Sequence, residues 1–169
     1  MNSKVLSRVL MTAGLVAGVV TLPSTAFAAT TADVTVGGTV TSTLAVSATP
    51  DGAAATGLTM TQGTETIAKI ADVAVETNNS TGLTLTVNDG LMTNPDGQTI
   101  AYDVLLVADG AAAPTTGFAD GQITYATTGA NATAAAEGNR DLYINFTPSA
   151  LQDPGVYSGT VTMTVADNN

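Results

Sequence analysis

Apolar and polar residues alternate with a period of two along most of the chain, the signature of strands with one buried face. Val34, Val36, Val40, Leu44 and Val46 share even positions opposite threonines and serines, and Gly38 leaves a gap in that apolar row. Ile67, Ala71, Val73 and Val75 form a second segment on odd positions, closed by Thr77-Asn78-Asn79-Ser80. Leu83, Leu85 and Val87 predict a short strand ended by the turn signal Asn88-Asp89-Gly90. A second turn, Asn94-Pro95-Asp96-Gly97, precedes Ile100, Tyr102, Val104 and Leu106. Ile123 and Tyr125, then Leu142, Ile144 and Phe146, then Val161, Met163 and Val165 complete the series. The segments recur roughly every 12–20 residues between Gly, Pro, Asn and Asp, close to the spacing of an all-β sandwich or barrel. No sustained 3.6-residue repeat interrupts them. The alanine-rich stretches 53–55, 111–113 and 132–136 lack apolar periodicity and read as loops or single turns. The expectation is an all-β fold, one antiparallel sandwich.

The first 28 residues follow a different pattern. Lys4 and Arg8 precede an apolar run from Val9 to Val20, Pro23 breaks it, and Ala26-Phe27-Ala28 offers small residues around a cleavage point before Ala29. This reads as a secretory signal peptide over 1–28, with export to the periplasm, the cell surface or the medium. The alternative, an uncleaved anchor, would need a run of roughly 20 apolar residues, longer than this one. No later segment is apolar enough to insert in a membrane.

Cleavage leaves 169 − 28 = 141 residues, a length that suits one domain over 29–169. All 14 acidic residues remain but only Lys69 and Arg140 of the bases, so the charge is 2 − 14 = −12. Nucleic acid is excluded as a partner, because almost nothing can neutralise phosphates. There is no cysteine, although an exported protein is free to form disulfides, so stability must come from sheet hydrogen bonds and aliphatic packing.

Composition also limits the chemistry. Without histidine or cysteine there is no Ser-His-Asp triad, no thiol nucleophile and no conventional zinc site. A Ser-Lys dyad would have to use Lys69, which has strand context and no serine near it in sequence. Carboxylate pairs can hydrolyse glycosides, but such sites usually hold sugar against aromatic rings, and the chain has no tryptophan. A non-enzymatic protein without a cofactor is expected. Calcium is the one metal its oxygen donors suit, with Asn88, Asp89, Asn94 and Asp96 as candidate ligands around two turns. Turn chemistry alone accounts for those residues completely, and no metal site is expected. Asn79-Ser80-Thr81, Asn131-Ala132-Thr133 and Asn145-Phe146-Thr147 match the N-glycosylation pattern, which chance explains in a chain rich in Asn and Thr.

Both ends of the exported part carry a resemblance. Asp153-Pro154-Gly155-Val156-Tyr157 leads into the alternating Thr160-Val161-Thr162-Met163-Thr164-Val165, and the new N-terminus at Ala29, with Thr30 and Thr31, leads into alternating valines with Gly37-Gly38. These stretches resemble pilin-like coat proteins, namely spore-coat-U-like and chaperone–usher fimbrial subunits. The resemblance implies an immunoglobulin-like sandwich and assembly with copies or related subunits after passage through an export chaperone. It also implies an N-terminal extension, 29–38, that inserts as a strand into a neighbour. Val34, Val36, Gly38 and Val40 would be the inserted row. Many such subunits carry a disulfide, which this chain cannot form, and up to seven strands follow the N-terminal segment, enough for a sandwich that needs no donor. The alternative expectation is a secreted binding module for glycan or cell-wall material.

Overall fold

Two β-sheets pack face to face around an aliphatic core, as the alternation requires. The computed structural model describes residues 34–52, 54, 57–128 and 138–168. Residues 1–33, which include the expected signal peptide over 1–28, and the alanine-rich stretch 132–136 lie outside the described residues. The chain divides into two units, 1–38 and 39–169, and the sandwich belongs to the second.

Eight strands run in chain order: β1 (Leu44–Pro50), β2 (Thr66–Thr77), β3 (Leu83–Asn88), β4 (Gly90–Thr93), β5 (Thr99–Ala108), β6 (Gln122–Ala126), β7 (Asn139–Phe146) and β8 (Met163–Asp167). They form a five-stranded sheet, β1-β2-β7-β5-β4, and a three-stranded sheet, β6-β3-β8. Every pairing is antiparallel.

The core follows the predicted faces. Leu83, Leu85 and Val87 are 0% exposed, and each such burial is worth about 1.5–3 kcal/mol. They meet Val73, Val75, Val104, Leu142, Ile144 and Phe146 of the facing sheet. β7, the middle strand of the larger sheet, is buried on both faces, so Asp141 and Tyr143 are covered as well as the alternate apolar row. The Arg140 guanidinium lies over the Tyr125 ring of β6, 3.9 Å from its centroid.

The five-stranded sheet has unequal edges. On one side isolated bridges from Ala119 to Val104 and from Ser158 to Thr93 extend the pairing past β5 and β4. On the other side β1 pairs only with β2, and no described strand covers its outer edge. β1 carries no charged residue, and six of its seven positions are exposed.

Candidate functional site

Three features stand apart from ordinary core and turn. The first is the N-terminal row. Val34, Val36 and Val40 are 85%, 91% and 88% exposed, and no strand is assigned between Val34 and Thr43. A Cβ added at Gly37 or Gly38 would meet nothing within 4 Å. The expected strand therefore begins ten residues later, at Leu44. Alternation encodes a face that packs, but a strand also needs a partner's backbone, and none of the described strands supplies one here. From Val34 to Pro50 there is no charged side chain, in a chain of net charge −10.

The second feature is a groove where the larger sheet is roofed by loops. Ile70, Met92, Tyr102 and Ile144 line a cavity of about 250 Å³ with Leu58 and Val161. Leu58 and Met60 approach the core from a segment with no ladder of its own. A neighbouring, larger groove of about 800 Å³ includes Leu58, Met60, Ile100, Pro148, Gln152 and Tyr157. Its polar groups are satisfied internally: Gln152 Nε2 donates to the Tyr157 hydroxyl at 2.8 Å, which in turn donates to the Asp153 carbonyl at 2.8 Å. The Pro-Gly-x-Tyr turn thus anchors its tyrosine over this groove. Val156 and Leu151 are 81% and 90% exposed.

The third feature is a pair of carboxylate clusters that sequence spacing did not reveal. Asp89, Asp103 and Asp120 place carboxylate oxygens within 4.8 Å of one another. Asp89 Oδ2 accepts the Gly121 N–H at 2.9 Å, while the Asp89 N–H donates to the Gly121 carbonyl at 2.9 Å, which ties the β3–β4 turn to the loop that leads into β6. Burial, then the Asp120 and Asp89 charges, push Asp103 above the usual carboxylate range. Burial and Asp89 likewise raise the Tyr102 phenol.

The four calcium candidates fall in different surroundings. Asn88 ends β3, and Asp89 joins Asp103 and Asp120. Asn94 is buried, its Oδ1 accepting the Gln98 N–H at 2.8 Å and its Nδ2 directed to Tyr157. Asp96 is exposed in the β4–β5 turn. Asp103 and Asp120 were invisible as partners of Asp89 because they lie in β5 and in a loop distant in sequence.

The second cluster joins Asp72, Asp109 and Asp141, and it contains its own cation. Lys69 Nζ lies 2.7 Å from Asp72 and 2.9 Å from Asp141. The hydrogen bond with Asp72, then that with Asp141, holds the Lys69 ammonium well above the usual lysine range. Lys69 in turn pulls Asp72 below the usual carboxylate range. Lys69 and Arg140, the two bases beyond residue 28, are thus both committed inside the domain. No protein-family model, curated protein or solved structure matches the chain.

Proposed function

We propose that this chain is a non-catalytic, exported structural subunit of a surface coat or pilus-like assembly, joined to its neighbours by strand addition. The observation that carries the reading is the exposed, uncharged row Val34, Val36, Gly38 and Val40. Strand addition takes affinity from main-chain hydrogen bonds and register from alternate side chains in pockets, and this row has the required alternation. The same chain offers complementary chemistry in the apolar groove at Leu58, Met60 and Val161 and in the bare edge of β1. Edge strands are ordinarily blunted by lysine, and neither base beyond residue 28 is free to do so.

Deleting residues 29–38 tests the reading by light scattering after size exclusion, with negative-stain microscopy. Linear polymers from the complete exported chain and a folded monomer from the truncated one are expected. Polymers that survive the deletion would overturn it. A binding module for glycan or cell-wall material is the second reading, favoured by the larger groove beside Gln152 and Tyr157. A stable monomer that retains cell-wall material through that groove would replace the first reading by the second.

A further inference from the structure

We propose that the apolar groove beside Leu58 and Met60, and not the β1 edge, is where a second copy of this chain lays its Val34–Val40 segment as an added strand. The inference rests on the strand-addition reading above and names the acceptor that this reading leaves open.

The two sheets are unequal, five strands against three, so part of the larger sheet is roofed by irregular segments. Ile70 of β2, Met92 of β4, Tyr102 of β5 and Ile144 of β7 form the floor of the cavity of about 250 Å³ that results. Leu58 and Met60 stand on one side of it, and the stretch from Ser158 to Val161 on the other.

The first wall is built like a strand but has no ladder. Exposed Gly57, Thr59 and Thr61 alternate with half-buried Leu58 and Met60, which pack against the core. No turn is assigned from 57 to 61, and the backbone of Leu58, Thr59 and Met60 makes no hydrogen bond with any described residue. With Leu58 and Met60 pointing at the core, the N–H and C=O groups between them run parallel to the sheet, as an acceptor edge requires. Buried by a neighbour, such groups must be paired, and a second strand pairs them.

The second wall is already anchored. Ser158 and Thr93 exchange both main-chain hydrogen bonds, at 2.8 and 3.1 Å. The Thr160 carbonyl accepts the Tyr102 hydroxyl at 3.0 Å, and the Thr162 carbonyl accepts the Asn88 N–H at 3.1 Å. An incoming strand thus meets one fixed wall and one unpaired backbone.

Charge and shape select the occupant. Among the described residues, none that lines this cavity is charged, and the Val34–Val40 segment carries no charge either, in a chain with 14 acidic side chains. Its exposed valines alternate, and their small branched side chains suit a cavity of this size. The β1 edge offers main-chain hydrogen bonds alone. Six of its seven positions are exposed, so it has no pocket for the valines that would set the register.

Amide hydrogen exchange of the complete exported chain, before and after assembly, tests the assignment without any substitution. The amides of Leu58, Thr59 and Met60 are expected to exchange fast in the monomer and to lose that fast exchange in the polymer. The β1 amides that do not pair with β2 should remain unprotected. Disulfide trapping gives a second readout, since the chain has no cysteine of its own. Copies carrying Val36→Cys should form a mixed dimer with copies carrying Met60→Cys and not with copies carrying Ser47→Cys. Protection of the β1 edge, or trapping at Ser47→Cys, would overturn the groove as acceptor while leaving strand addition standing. A chain that stays monomeric overturns both.

Discussion

Single residues fix two points of this sandwich with unusual rigour. Gly82 has φ +82°, and a Cβ there would overlap the Thr127 carbonyl oxygen. Gly82→Ala therefore meets both left-handed strain and a backbone clash, and about 3 kcal/mol of stability should be lost in urea melts. Thr77, 1% exposed, donates its hydroxyl to Asp167 at 2.6 Å and accepts the Asn79 N–H at 3.0 Å. Thr77→Val preserves shape but strands the Asn79 donor and the Asp167 acceptor, and about 1–3 kcal/mol should be lost. Asp103 acts in the opposite sense. Its pKa is raised by folding, so the folded chain binds this proton more tightly than the unfolded one. The Asp103 contribution to stability is thus greatest below the ordinary carboxylate range and falls as pH rises through its elevated value. Asp103→Asn should raise the melting temperature at neutral pH, with little gain in strong acid. A gain that is equal at both pH values would show that neither burial of the Asp103 charge nor its repulsion by Asp120 and Asp89 is the cause.

Elements were legible in proportion to how completely each one fills its own face. β3, β5 and β7 were readable because Leu83, Leu85, Ile100, Val104, Leu142 and Ile144 alternate and are all buried. β4 escaped notice: its four residues hold a single buried apolar side chain, Met92, inside a stretch dominated by turn signals. The two-sided burial of β7 was also hidden, since Asp141 and Tyr143 read as the solvent face of an alternating strand. Nor does sequence parity predict the meeting of Lys69 with Asp72, because a bulge cannot be seen in a periodic pattern. The N-terminal segment is the informative case. Its alternation extends from Val34 to Val46, yet the strand begins only at Leu44, where β2 provides a ladder. Val36→Asp and Val40→Asp, placed on the unpaired part, should abolish polymers and leave the thermal melt of the monomer unchanged. At the β1 edge, Ser47→Lys should weaken self-association only if that edge also takes part.

For the whole molecule, charge and hydrophobicity pull assembly in opposite directions. Beyond residue 28 there are 14 acidic side chains against two basic ones, so two copies repel at every distance that salt does not screen. The stretch from Val34 to Pro50 is one place where a neighbour can approach without adding charge to charge. Contact through it buries apolar surface, which salt does not weaken. The repulsion, by contrast, reaches about 30 Å in 0.01 M salt and only about 8 Å at 0.15 M. Assembly should therefore be slow at low ionic strength and accelerate as sodium chloride rises, the reverse of an association held by opposite charges. Light-scattering growth curves across that range measure this directly. The deletion of 29–38 should remain monomeric at every salt concentration, because screening removes a barrier without supplying a strand. Growth that slows as salt is added would mean that ion pairs, not the valine row, hold the copies together.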